Sequence, residues 1–164
     1  MRSLGGFSSL DRALFQISRD LWPGQNFYVD LLNGSANNSG LTTNSPLKLI
    51  QSAFNLCRTA KHDRVIVFGY SGVNNSTENL TLAKADVSLI ALGPVSNAQY
   101  ATVVPASGIA LDLQAGAHGF KTYGFSFVGA GGTNPAVQVA ADGPYFEKCD
   151  FRSGGGDGVL FLGT

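Results

Sequence analysis

Cysteine is nearly absent: the 164 residues contain two, Cys57 and Cys149, far apart and in no CxxC spacing. That excludes a disulfide framework and a zinc site, and both read as small core residues. An excess of charge of one sign is missing as well. Eleven basic and eleven acidic side chains cancel, and charged residues make up only 13% of the chain, so there is no electrostatic footprint for nucleic acid or an anionic membrane. No apolar run is long enough to span a bilayer, and "MRSLGGFSSLDRALFQ" holds no sustained apolar stretch of the kind a secretion signal needs. The expectation is a soluble chain made in a cytosol, with no nucleic-acid partner and no membrane insertion. On that expectation the N-x-S/T sequons at Asn33, Asn37, Asn74, Asn75 and Asn79 are polar turn residues rather than glycosylation sites.

What the chain does have is glycine, 21 copies, with 44% hydrophobic and 10% aromatic residues. This mixture suits short strands joined by tight turns, and the length allows one domain with one core. "SSLDRALFQISRDLWPG" sets Leu10, Leu14, Ile17 and Leu21 on one helical face, with Ser8 or Ser9 as N-cap and Pro23-Gly24 as a stop. "NFYVDLL" (26–32) is a strand candidate, and the polar loop "NGSANNSG" follows it. Ser45 as N-cap, Pro46 at the first helical position and an apolar stripe of Leu47, Ile50, Phe54, Cys57 and Ala60 then predict a helix reaching about His62.

From Arg64 onward the period changes. "RVIVFG" (64–69), "NLTLAKADVSLIALG" (79–93), "GIALDL" (108–113), "YGFSFVG" (123–129), "AVQVAA" (136–141), "YFEKCDF" (145–151) and "GVLFLG" (158–163) are short β-type runs bounded by Gly, Asn, Pro or Asp. Without further helices a layered βαβ fold is excluded, leaving a sandwich, a barrel or a solenoid. Spacing decides among them. The step from "FSF" at 125 to "CDF" at 149 nearly equals the step from "VQV" at 137 to "VLF" at 159. Two interleaved series with nearly one period are what successive coils of a parallel β-helix produce, and an immunoglobulin-like sandwich gives no such interleaving. A coil stack exposes apolar layers and strand edges at its ends, so something must cover them. Leu47, Ile50, Phe54 and Cys57, on the helix before the first coil, have the one-sided apolar face such a cover needs.

"YVDLLNGSANNSGLTTNSPLKLIQSAFNLC" followed by "DRVIVFGYSGVNNSTENLTLAKADVSLIALG" resembles the start of pectin-lyase-like right-handed parallel β-helix domains of bacteriophage tailspikes and tail fibres. The residues carrying the likeness are Tyr28-Val29-Asp30, Asn33-Gly34-Ser35, Gly40, Ser45-Pro46-Leu47, Ile50-Gln51, Ala53, Val65 to Val67, Gly69, Glu78-Asn79-Leu80 and Val87 to Ile90. The resemblance covers residues 27–164 and implies an all-β, right-handed parallel β-helix with an N-terminal capping helix, preceded by the short amphipathic helix in residues 1–26. It departs from the usual pattern in "FGYSGVNNSTENL", which lengthens the first turn. The run "GVLFLGT" stops inside a strand pattern, so either another polypeptide covers that edge or these residues are the front part of something longer. The same resemblance precedes hydrolases and inert spikes alike, so it implies the fold more strongly than the activity.

Three functional readings follow from the resemblance. The first is a virion structural protein, a homotrimer made in the host cytoplasm, that attaches to other virion proteins through residues 1–26 and adheres to host-surface polysaccharide. The second is a polysaccharide depolymerase with carboxylates on the coil face or in further coils. The third is a capsid decoration protein. For an enzyme the candidate carboxylates are Asp112, Asp150 and Asp157, with Asp142 and Glu147 also on the coils. Alternation points Asp112 and Asp150 outward, and a solvated charge is the plainer reading of each. "GGGDG" (154–158) has no Lys-Ser/Thr pair or following helix and reads as a turn. His62, at the end of the predicted helix, and His118 are isolated, so neither a metal nor any other cofactor is expected. Phe125 and Phe127 alternate with Ser126 and read as core, while Tyr123 and Tyr145 are possible surface contacts. Leu10, Leu14, Ile17, Leu21 and Trp22 have no place among the coils and form the candidate interface. A Leu14→Asp, Ile17→Asp double substitution is expected to lower the solution mass measured by light scattering to that of a dissociated chain; an unchanged mass would remove these residues from the interface.

Overall fold

The computed structural model describes residues 24–68, 75–93 and 101–162. Leu10, Leu14, Ile17, Leu21 and Trp22 lie outside them. Among the described residues the chain forms strands β1 (Asn26–Asp30), β2 (Arg64–Phe68), β3 (Asn75–Ser76), β4 (Leu80–Leu82), β5 (Ser88–Leu92), β6 (Ala101–Val103), β7 (Leu111–Leu113), β8 (Lys121–Tyr123), β9 (Phe125–Gly129), β10 (Val137–Val139), β11 (Tyr145–Glu147), β12 (Asp150–Ser153) and β13 (Val159–Phe161), with one helix, α1 (Ile50–Leu56). They make three sheets: β1-β2-β5-β8-β11, then β12-β9-β6-β3, then β13-β10-β7-β4. Every strand pairing between them is parallel. The chain visits the first, second and third sheet in that order four times, as β2-β3-β4, β5-β6-β7, β8-β9-β10 and β11-β12-β13. The fold is therefore mostly sheet, in three parallel sheets with one short helix. The two sequence steps that nearly coincide are registers of this stack, Ser126 facing Asp150 and Val137 facing Val159.

Alternation fills the space between the sheets. In the third sheet Leu80, Leu111 and Val137 stack in one buried column and Leu82, Leu113 and Val139 in the next. The second sheet contributes Val103 and Phe127, and the first Phe27, Val65 and Leu89. Aromatic rings tie the layers together: Phe54 of α1 meets Phe120 edge-on at 6.5 Å, Phe120 meets Phe146 at 6.4 Å, and Phe146 meets Phe151 at 5.2 Å.

Corners recur with the coils. His62, Asp86, Gly119 and Gly143 all have φ between 56° and 66°, each two residues before a strand of the first sheet. A left-handed residue reverses the chain there, and His and Asp are among the side chains that tolerate it. Gly124 and Lys148 make the next corner in the same way, with φ of 76° and 50°. These single-residue bends split the expected runs 79–93, 123–129 and 145–151 into separate strands.

The helix differs from the one expected over 45–62. Leu47 donates its N–H to the Tyr28 carbonyl and accepts from the Asp30 N–H, both at 2.9 Å, so it covers the free edge of β1. Those bonds hold residues 45–49 out of the helix, and Leu49 is extended at φ −117°, ψ 138°. Ser45 and Pro46 therefore cap no helix. The polar loop is part of the same edge cover: Asp30 Oδ1 accepts from the N–H groups of Leu32 and Asn33 at 2.9 and 2.8 Å. A Cβ on Gly34 would collide with the carbonyl oxygens of Leu47 and Asp30. At the other end Cys57 is extended, and Ala60 and His62 are left-handed, so His62 belongs to a corner and not to a last helical turn.

Among the described residues one buried side chain is unpartnered. Thr122 sits in the inward column between Leu89 and Phe146, and its Oγ1 has no hydrogen bond. Replacing it with Val removes a desolvated hydroxyl and is expected to raise stability by about 1 kcal/mol in urea titrations; a fall in the unfolding midpoint would mean that the hydroxyl has a partner in solution.

Candidate functional site

The first coil binds its cover through side chains that later coils do not repeat. Glu78, two residues before β4, turns its carboxylate to the start of α1, where Oε1 accepts from Ile50 N–H at 3.0 Å and Oε2 from Gln51 N–H at 2.8 Å. Ser76 Oγ holds the same carboxylate at 2.7 Å. These bonds satisfy two N–H groups that a helix start leaves open and place a negative charge at the positive end of the helix. Gln51 extends the contact. Its side-chain amide donates to the Thr81 carbonyl at 3.0 Å and accepts from the Thr81 N–H at 2.8 Å, so it pairs with the edge of β4 as a strand would. At the helix end Lys84 Nζ donates to the carbonyls of Phe54 and Asn55 at 3.0 and 2.7 Å.

Asp63 completes the clamp. It follows the left-handed corner residue His62, in the position that the next two coils give to Val87 and Phe120, and it is equally buried. Its Oδ1 accepts from Gln25 N–H and from Arg58 Nη2, both at 2.7 Å, and its Oδ2 from Arg58 N–H at 2.8 Å and Nε at 3.0 Å. Burial alone pushes this carboxyl up; the bonds from Arg58 and Gln25 outweigh burial and hold it below its ordinary range. Leu47, Ile50, Phe54 and Cys57 are all buried beneath this arrangement. Burial, helped by the charge of Asp63, pushes the Cys57 thiol up to about 12, so it is an inert core group; burial raises the Cys149 thiol as well.

The outer faces carry the candidate carboxylates. In the third sheet Thr81, Asp112, Gln138 and Leu160 form one outward row. Asp112 accepts from the side-chain amides of Gln114 and, at 3.4 Å, Gln138. In the second sheet the row is Thr102, Ser126 and Asp150; Asp150 accepts from Arg152 Nε at 2.5 Å and Ser126 Oγ at 3.4 Å. Asp157 is exposed in the loop before β13. The register thus puts Asp112 and Asp150 on different sheets, each engaged with neutral or basic partners of its own. Glycosidic cleavage needs two carboxyl groups facing one bond, separated by roughly 5–10 Å; here Asp112 and Asp150 belong to different sheets and Asp157 to a loop. His118, before the third corner, lies 3.5 Å from Asp142, before the fourth, in an exposed pair. Among the described residues no group of three or more metal-ligating side chains converges, and no helix is long and apolar enough to cross a membrane.

The far end of the stack is apolar. Phe146, Phe151 and Val159 occupy inward columns but are only partly buried, and Phe161, in the column of Leu82, Leu113 and Val139, is 65% exposed. Phe125 and Phe127 are fully buried, Tyr123 accepts from Lys148 Nζ at 2.7 Å, and Tyr145 is 56% exposed.

Sequence reasoning missed Glu78, Asp63, Gln51 and Lys84 as the clamp. A signal for Asp63 existed: the tripeptides "HDR", "DVS", "GFK" and "GPY", which share one structural position, carry a charge at their centre only in the first coil. No protein-family model, curated protein or solved structure matches the chain.

The clamp sets a pH dependence. Asp63 has a folded pKa below its unfolded one, so the unfolded state binds more protons between the two values. Its stabilisation is therefore complete above the unfolded pKa of about 4 and is lost as pH falls through the lower folded value. Asp63→Asn is expected to cost about 2 kcal/mol at pH 7 and progressively less as pH falls below the unfolded pKa of about 4 in urea titrations; a loss that does not change with pH would assign Asp63 a packing role only.

Proposed function

We propose that the chain is a right-handed parallel β-helix module of the pectin-lyase-like kind, serving as a virion structural protein of the tailspike or tail-fibre type in particle attachment and host-surface adhesion. The observation that carries this reading is the fourfold passage through three parallel sheets behind a helix-covered first coil. A parallel strand–crossover–strand connection is right-handed in about 98% of cases, which supports the hand. Short coils stacked in register make a stiff rod, suited to holding an adhesive surface away from a particle. Outward rows of Thr, Asp and Gln side chains offer the hydrogen-bonding groups that a hydroxyl-rich host polysaccharide requires.

On this reading the protein is a homotrimer that docks on other virion proteins through Leu10, Leu14, Ile17, Leu21 and Trp22. The depolymerase reading is weaker, because Asp112 and Asp150 stand on separate sheets. Nothing in the described residues favours capsid decoration over a spike. Light scattering on the purified chain tests the proposal. A stable species of three times the 17.1 kDa chain mass is expected; a monomer at micromolar concentration would count against a self-assembled spike.

A further inference from the structure

The outer face of the first sheet is unlike those of the other two. Strand β2 alternates about the core residues Val65 and Val67, which turns Ile66 outward in a row with Tyr28, Ile90 and Tyr123. Phe68 and Leu92 face each other in the next outward row, and Phe68 stacks on Tyr28 at 6.1 Å. The other sheets carry Thr81, Asp112 and Gln138, or Thr102, Ser126 and Asp150, on their outer sides.

One end of this apolar face is already covered. Ile90 has a row neighbour on either side and is only half-buried, whereas Ile66, flanked in the same way, is fully buried without belonging to the core between the sheets. In the adjoining outward row Arg64 is 4% exposed and donates to Asn26 Oδ1 at 3.3 Å, while Ser88 is half-buried and Lys121 exposed. A guanidinium on an open sheet face keeps its head in water. That of Arg64 does not, and since this burial arises within one chain, the cover belongs to the chain itself.

We propose that the occupant is residues 1–23 of the same chain, with Leu10, Leu14, Ile17 and Leu21 seated on the outer face of β1, β2 and β5. The segment ends in the right place: Gln25 and Asn26, which follow it, lie against Arg64, whose N–H donates to the Gln25 carbonyl at 2.8 Å. It has the right length. As the helix its periodicity predicts, Leu10 to Leu21 spans about 16 Å, and the row from Tyr28 to Tyr123 crosses three strand spacings, about 14 Å. It also has the right charge: a buried guanidinium is favourable only with an anionic partner near it, and residues 1–23 bring Asp11 and Asp20, while 69–74 and 94–100 hold no charged side chain. The inference does not rest on the spike reading, because it seats the stripe within each chain, whatever that chain then assembles with.

The test places a photo-crosslinker on the face of the full chain as Tyr28→p-benzoylphenylalanine. Isotope-labelled and unlabelled chains are unfolded together, refolded as an equal mixture and irradiated. Crosslinks from position 28 to residues 1–23, joining peptides of one isotope only, are expected. Mixed-isotope crosslinks would give the face to a second copy, and crosslinks that avoid residues 1–23 would give it to another part of the chain; either overturns the proposal. Because the readout is the same for a monomer and a trimer, failure of the spike reading shows separately in the solution mass. Trp22, the only tryptophan of the chain, gives a second readout. Ile66→Asp is expected to raise acrylamide quenching of its fluorescence several-fold while cooperative thermal unfolding is retained. Ile90→Asp, at a half-buried position of the same row, repeats the measurement if Ile66→Asp does not fold. Quenching that does not change in a folded variant would overturn the proposal.

Discussion

A parallel stack has to end somewhere, and everything at the α1 end depends on how two carboxylates solve that problem. Asp63 occupies a core position that later coils fill with Val87 and Phe120. Burying a carboxylate is unfavourable unless its oxygens are satisfied and a cation is near. Here four donors converge on it, two of them backbone N–H groups from Gln25 and Arg58. The charge thereby joins the start of β1, the segment after α1 and the first corner into one unit. Glu78 does the same for the start of α1 from a distant point in the chain. With the helix held at both ends, Phe54 is placed against Phe120, and the ring-to-ring contacts continue through Phe146 to Phe151.

The corners show what the fold holds constant and what it lets vary. The left-handed residues are equally spaced from His62 to Asp86 and from Gly119 to Gly143, while the step from Asp86 to Gly119 is longer. The longer middle coil still returns its strands to register, with Leu89 facing Thr122. Added length is absorbed between the sheets, where loop extension costs little entropy, and the pairing geometry is preserved.

Much of this is legible from residue order because coils repeat. The steps from "FSF" to "CDF" and from "VQV" to "VLF" are true registers, and alternation in "LDL" and "CDF" sets Asp112 and Asp150 outward. The three-residue strands β6 and β8 and the two-residue β3 carry too little pattern to be read. The start of α1 is not where local signals put it, because Ser45-Pro46 is a good helix start that a tertiary bond from Leu47 to the β1 edge overrides. The true cap, Glu78, has no local signature at all. In the same way the outward position of Asp112 and Asp150 can be seen in sequence, but the partners that define their chemistry, Gln138 and Ser126, belong to neighbouring coils.

The asymmetry of the two ends gives the molecule a direction of growth. In a stack of nearest-neighbour units, each coil finds its pairing surface only once the coil beneath it is ordered. Among the described residues the strand edges engaged by something other than a coil are those of β1, by Leu47, and β4, by Gln51, so the first coil has a surface that does not wait on another coil. Synthesis delivers the coils in the same sequence, N-terminal first. The longest pairing step among the described strands joins β1 to β2, with Asn26 facing Arg64, and each later strand pairs only with strands of the adjacent coils.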